Sequence, residues 1–200
     1  MKNLRRLSIP LTLFLFILLP VTALLCGTER WPVKVCKDTT VKKLFKGQDV
    51  AAGNLKTAIP TTIPALRSIP APPSPGNTRV GPTEATIWII EATITDYKIE
   101  GGAKGDQDYH LALDDGSGRT MIAEIPSSSC LKQTPEPLKS MIKQARADFD
   151  AKFTVTGKFQ HADQKVRITG PGMFDRIHGQ KGVAPNGIEI HPIIKIEFLN

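Results

Sequence analysis

The chain has 200 residues and a formal net charge of +7 at pH 7, which falls to +4 without the three basic residues of its first six positions. This mild basicity is compatible with an anionic partner but lacks the dense positive field of a dedicated nucleic-acid binder. The three cysteines form no Cys-x-x-Cys motif, which excludes a thioredoxin-type motif and a zinc ribbon.

The first residues have the order of a secretory leader. Basic residues are followed by a run over 11–19 in which every residue but Thr12 is apolar, and by the small-residue segment that ends at Ala23. A run of this length is too short to cross a bilayer, which needs about 20 helical residues. We therefore predict a signal peptide over 1–23. A lipid anchor on Cys26 is the alternative, although Leu24 and Leu25 precede it where small residues are wanted.

An arm and linker are predicted over 24–82. Seven prolines occur between Lys56 and Pro82, and each removes a backbone donor and disfavours helix in the residue before it. We expect a semi-rigid extended connector and not a folded unit, followed by one compact domain over 83–200.

The body begins with strands. TEATIWIIEATITDYKIE alternates apolar and polar residues, with Ile90 and Ile94 on one face, and a Gly-rich loop follows. YHLALDD and RTMIAEIP alternate in the same way. Between them, the residues at 115–118 are typical of a tight hairpin.

A helix then interrupts the strands. Thr134 is placed to cap it, Pro135 suits its first turn, and an apolar stripe recurs at helical spacing as far as Phe149. Lys139, Lys143 and Arg146 are expected on a solvated face. The segments KFTVTGKFQ, with Phe159 inward, and KVRIT are read as further strands, and IEIHPIIKIEF as a closing strand in which Pro192 marks an edge or a bulge.

This order of elements predicts the fold class. It is a mainly β protein, a five-stranded OB-like Greek-key barrel with one α-helix between strands 3 and 4, preceded by the signal peptide and the Pro-rich arm. An open α+β sheet with one covering helix uses the same elements.

Five stretches also resemble a family of exported bacterial proteins: CGTERWPVK, PTTIPAL, DYHLALDD, MIAEIP and HGQKGVAPNGIEIHP. The resemblance implies an exported, OB-like domain and no particular activity. By spacing alone, Cys26 or Cys36 could pair with Cys130, or Cys26 with Cys36. The family commonly has Thr-Gly after WPVK where this chain has Val35 and Cys36, so the resemblance implies a disulfide between Cys26 and Cys130.

The closing motif supplies a candidate metal site. His178, Glu189 and His191 offer nitrogen and oxygen ligands of the kind that zinc takes, with Glu189 and His191 on the outward face of the last strand. The spacing matches no recurrent zinc site. The alternative is a rigid loop whose glycines and Pro185-Asn186-Gly187 make turns and whose His178 and Gln180 bind its own carbonyls.

A binding face is the other candidate. OB folds commonly bind ligands across strands 2 and 3 and the loops after strands 1 and 4, which here are predicted at 101–108 and 161–165. The candidate residues are aromatic or basic side chains: Tyr97, Tyr109, Lys152, Lys158, Lys165 and Arg167.

Since no complete catalytic set is present, we expect an exported, non-catalytic OB-like binding module of the bacterial cell envelope, without a cofactor. It is expected in the periplasm or outside the cell, with no transmembrane span in the mature chain and with a protein or a polyanion such as nucleic acid as its partner. The alternative function is a metal-dependent hydrolase or nuclease that uses His178, Glu189 and His191.

Overall fold

The structure is a computed structural model that describes residues 57–75, 79, 81–101 and 105–200. The predicted signal peptide, Cys26 and Cys36 lie outside these residues. The export signal, the lipid anchor and the disulfide therefore stay predictions.

The described chain is mainly β. In chain order, its elements are β1 (Ile59–Pro60), α1 (Ile63–Arg67), α2 (Gly81–Ala85), β2 (Ile87–Ile99), β3 (Tyr109–Asp114), β4 (Thr120–Ile125), a 3-10 helix (Ser128–Gln133), α3 (Leu138–Lys152), β5 (Gln160–Phe174), β6 (Ile188–Ile190) and β7 (Lys195–Phe198).

The strands form one seven-stranded mixed sheet in the order β1-β2-β3-β4-β6-β5-β7. Strands β2 and β5 also pair with each other, in antiparallel register from Ile87↔Pro171 to Tyr97↔Gln160. The ladder that runs β2-β3-β4-β6-β5 therefore returns to β2. The link from β4 to β6 is parallel, and α3 lies in sequence between β4 and β5.

Alternation placed the core of the first strands correctly. Ile90 and Ile94 are buried, and a register irregularity between Ile94 and Asp96 shifts the phase so that Tyr97 is buried as well. Strands β3 and β4 are buried on both faces over nearly their whole length. The hairpin at 115–118 is confirmed, with Asp114 paired to Thr120 across it.

The helix is confirmed with a later start. Helix α3 begins at Leu138, and Glu136 accepts hydrogen bonds from the backbone nitrogen and the hydroxyl of Ser140, whereas Thr134 ends the preceding 3-10 helix. Its buried stripe includes Ile142 and Phe149.

Two predicted strands are wrong. KFTVTGKFQ is the end of α3 followed by an irregular segment, and Phe159, expected inward, is 37% exposed. The strand that follows the helix in sequence is β5, which extends through KVRIT as far as Phe174. The predicted closing strand is two strands, because the segment 191–194 around Pro192 leaves the ladder between β6 and β7.

Part of the predicted linker belongs to the body. Thr62 caps α1 and Pro64 lies in its first turn, where a proline fits because the missing N–H has no helical partner there. Ile63 and Leu66 are each 1% exposed and pack in the core. The packed body therefore includes residues that precede the predicted boundary at 82, since apolar residues between the prolines were available for burial.

Among the residues that the structure covers, no helix is both long enough and apolar enough to span a membrane.

Candidate functional site

A row of ionisable side chains crosses four neighbouring strands. Cross-strand partners His110 on β3 and Glu124 on β4 lie on the same face. Glu100 follows β2 on one side of them, and His191 follows β6 on the other. We call these four residues the titratable row. Because alternation assigned their positions to the solvent side of the strands, the prediction did not identify His110 or Glu124.

Glu124 links the two histidines. Its Oε1 lies 3.4 Å from His110 Nδ1, and its Oε2 lies 2.8 Å from His191 Nδ1. Both imidazoles are at most 1% exposed, and Glu124 is 5% exposed. One buried carboxylate is therefore shared by two buried rings.

Further carboxylates complete the surroundings of His191. Glu189 Oε1 is 3.1 Å from Nδ1, and Asp108 Oδ2 is 3.4 Å from Nε2. The second oxygen of Asp108 accepts a hydrogen bond from the backbone nitrogen of Ser127. Carboxylates outnumber imidazoles in this row, which favours the protonated, positively charged form of each histidine.

The pKa of each histidine reflects this balance. Burial lowers the pKa of His110, but contacts with Glu100 and Glu124 outweigh it and raise that pKa to about 10. Burial also disfavours charge on His191, yet Glu124, Asp108 and Glu189 raise its pKa well above the usual value. Contact with His110 lowers the pKa of Glu100.

The segment 175–187, the covering loop, explains why β3 and β4 are buried on both faces. Lys181 places its carbonyl oxygen 2.8 Å from His110 Nε2 and its ammonium 2.7 Å from Asp96. Gly182 has φ +85°, and a Cβ there would lie 2.8 Å from the Cβ of Ala112. The loop therefore needs a glycine at this point in order to pack against β3.

Polar residues of the loop hold its own shape. His178 Nδ1 and the Gln180 amide both contact the carbonyl of Arg176. The Asn186 amide donates to the carbonyls of Leu66 and Ile69 and so attaches the loop to α1. HGQKGVAPNGIEIHP is thus a structural loop that leads into a buried strand.

The predicted metal set is only partly brought together. Glu189 and His191 are neighbours, but both are buried, so their outward placement was wrong. His178 is exposed and belongs to neither of the two groups of potential metal ligands found in the described residues. The first group is Glu100, His110 and Glu124. The second is Asp108, Glu124 and His191, so Glu124 belongs to both.

Arg146 is buried on α3, although it was predicted to lie on a solvated face. It is 3% exposed, donates to the carbonyls of Ile125 and Gln107, and stacks on the ring of Tyr109. Its position four residues after Ile142 and three before Phe149 places it on the buried stripe. Helical spacing alone could therefore have located it.

The predicted binding residues do not form one face. Tyr97 and Tyr109 are buried against Phe149, so neither ring is available for base stacking. The basic residues are spread over separate elements: Lys152 ends α3, Lys158 lies in the following turn, and Lys165 and Arg167 lie on β5. The predicted loop at 161–165 is part of β5, and the loop that follows β5 is the covering loop.

A groove of about 770 Å³ lies where β1, β2, β5 and β7 meet α3. We call it the side groove. Arg167 donates two hydrogen bonds to Oε1 of Glu91, and Lys195 is 3.1 Å from Glu197. It is lined by Ala58, Pro60, Thr61, Thr62, Ile89, Glu91, Met141, Arg167, Thr169, Ile194, Lys195 and Glu197.

Comparisons with known proteins give little further information. No family model matches the chain, and no curated protein matches it. Among solved structures, a proposed aspartyl-tRNA synthetase from Leishmania major Friedlin aligns with a TM-score of 0.42 and 15% sequence identity. The alignment covers 72% of this chain but only 21% of that one, and a likeness at this level carries no argument about fold or activity.

Proposed function

We propose that the chain is a non-catalytic binding module of the bacterial cell envelope, built on an OB-type barrel. The barrel part of the proposal is supported by the closed ladder β2-β3-β4-β6-β5 and by the position of α3 between β4 and β5, the third and fourth of these strands in sequence. These are features of the five-stranded Greek-key barrel. The two short strands β1 and β7 extend the ladder beyond the ring.

The side groove is the proposed binding site, and this groove is the observation that carries the proposal. Its apolar lining residues, such as Ile89 and Ile194, are bordered by acidic and basic side chains in contact with one another. A lining of this kind fits an extended segment of a partner protein, which offers apolar side chains and charges of both signs.

The same charges disfavour a polyanion. Arg167 is already held by Glu91, and a phosphate chain would have to displace that carboxylate. Both tyrosines that were candidates for stacking are buried. The outer faces of β3 and β4, a common ligand surface of OB folds, are occupied by the covering loop.

Site-specific photo-crosslinking in the native bacterium tests the protein-partner proposal. A photoreactive amino acid at Thr62 or Thr169 places the probe in the side groove, and one at Arg119, on the exposed hairpin, is the matched control. We expect both groove positions to give the same crosslinked envelope protein and the control to give none. Crosslinks equal at all three positions, or none at any, would contradict the proposal.

Titration with single-stranded DNA and with an acidic glycan tests the polyanion version. We expect neither polyanion to show salt-sensitive binding, which would be seen as an affinity that falls when the salt concentration is raised from low to moderate. Salt-sensitive binding that is lost in Lys165→Ala, on β5, would replace the protein-partner proposal by the polyanion one.

The proposal also includes export and a disulfide between Cys26 and Cys130. The intact mass of the protein from its native host measures both, since cleavage after Ala23 removes a defined mass and each disulfide removes two hydrogens. A mass that matches the full chain would exclude export by the predicted leader, and a diacylglycerol adduct would favour the lipoprotein alternative at Cys26.

A further inference from the structure

His110 is held between two carboxylates at an unusual separation. Its Nδ1 lies 3.3 Å from Oε1 of Glu100 and 3.4 Å from Oε1 of Glu124. Both separations exceed the usual N–H···O length of about 2.7–3.2 Å. They equal the spacing of about 3.0–3.5 Å between two ligand atoms that each bind one metal ion at about 2.0–2.2 Å.

The imidazole is oriented in the way that metal-binding histidines are. Nε2 lies 2.8 Å from the carbonyl oxygen of Lys181, which fixes the hydrogen on Nε2 and directs Nδ1 between the two carboxylates. Nδ1 is buried, and although both carboxylates lie within 3.4 Å of it, it makes no hydrogen bond of regular geometry within the described part of the chain. This buried nitrogen is a second observation, independent of the acidic cluster, that points to a ligand.

We propose that Glu100, His110 and Glu124 bind a divalent transition-metal ion of the zinc class. One imidazole nitrogen and two carboxylate oxygens are suitable ligands for such an ion. The side chain of Glu100 is 27% exposed, so solvent can reach the remaining coordination position, whereas Glu124 is buried. The site would thus have three protein ligands and one position open to solvent. None of the three ligands lines the side groove, so the two sites are separate.

The competing account is a simple ion-pair network. In that account a proton on Nδ1 is shared by the two carboxylates, and Lys98, 3.2 Å from Oε1 of Glu100, adds a second cation. A metal ion must displace that proton and compete with Lys98. Metal affinity should therefore increase with pH, because the ligand nitrogen must be deprotonated.

The metal would join three elements. Glu100 follows β2, His110 lies on β3 and Glu124 on β4, so the ion would link these three neighbouring strands. A ligand that binds only the folded state stabilises it in proportion to the logarithm of its concentration above Kd.

The test uses tag-free protein treated with EDTA and dialysed, titrated with zinc by calorimetry and with cobalt(II) by visible absorption. Glu100→Gln is the main variant, because this partly exposed side chain can change without a large loss of packing. Asp148→Asn changes a carboxylate on α3 that belongs neither to the side groove nor to either group of potential metal ligands, and it is the matched control. His110→Asn removes the central ligand, and circular dichroism reports whether each variant is folded.

We expect one zinc ion per chain in the wild-type protein and in Asp148→Asn. In Glu100→Gln the affinity for zinc should fall by about 100-fold or more. Loss of a residue that only hydrogen-bonds a metal ligand already lowers metal affinity by about 10–100-fold, and Glu100 is itself a proposed ligand. His110→Asn should lose binding and the cobalt ligand-field bands. Absence of stoichiometric binding in the wild-type protein, or equal affinity in folded Glu100→Gln, would overturn the proposal and leave the ion-pair network.

Discussion

Glu124→Gln removes one negative charge from the centre of the titratable row without changing the size of the side chain. In the folded protein this carboxylate contacts His110 and His191, and it is 5% exposed. Loss of one partner of a buried ion pair costs about 3–5 kcal/mol, because the remaining charge stays desolvated. We expect the free energy of unfolding to fall by about that amount near pH 7.

The control for this variant is Glu91→Gln. Glu91 also pairs with a cation, but the side chains of Arg167 and Glu91 are 42% and 59% exposed. Exposed pairs contribute about 0–1 kcal/mol. Urea unfolding followed by tryptophan fluorescence in EDTA compares the two variants, with Trp88 of β2 as a reporter in the described body.

The pH dependence gives the same prediction a second measurement. The pKa of His110 is raised to about 10, so its contribution to stability is complete below the ordinary value of 6.5 and is lost as pH rises through 10. His191, whose pKa is also raised, acts in the same direction. The metal-free wild-type protein should lose up to about 1.4 kcal/mol per pH unit for each proton involved. Glu124→Gln should show a shallower loss.

Two results would refute this reasoning. One is a loss in Glu124→Gln no larger than the loss in Glu91→Gln, which would mean that the buried carboxylate does not stabilise the imidazolium rings. The other is an unchanged pH slope in Glu124→Gln, which would mean that other groups cause the alkaline loss.

Three further substitutions test the packing, each by urea unfolding. Gly182→Ala should cost about 1–3 kcal/mol more than Gly179→Ala, because both glycines have positive φ but only a Cβ at 182 meets Ala112; equal losses would contradict this. Leu66→Ala should cost about 2–5 kcal/mol, whereas a residue in an undocked linker would cost almost nothing. Arg146→Lys should cost about 1–3 kcal/mol, since an ammonium cannot reproduce the two hydrogen bonds to carbonyls and the stacking of the guanidinium on Tyr109. An unchanged free energy of unfolding would contradict the buried position of Arg146.

The sequence predicted the elements whose pattern is local. Ile90 and Ile94 repeat at the strand period, and Ile142 and Phe149 at the helix period, so both faces were assigned correctly. The turn at 115–118 was predicted because its aspartate and its two glycines have strong local preferences. The side groove could not be predicted, since its lining comes from four strands and a helix that are distant in sequence.

The site was missed because its burial is not local. His110 and Glu124 occupy positions that alternation assigns to solvent, yet both are buried, and the covering loop contacts His110 through the carbonyl of Lys181. Nothing within β3 or β4 signals that cover. Arg146 was missed for another reason: its charge was given more weight than its helical position.

The place of β6 between β4 and β5 has a consequence for biosynthesis. The ring of strands stays open until Ile188–Ile190 has left the ribosome, after all of β2, β3, β4 and β5. Contacts between residues so distant in sequence form slowly, because the intervening chain must first be ordered. The four strands made earlier therefore cannot close the ring by themselves, and closure by β6 is expected to be a late step of folding.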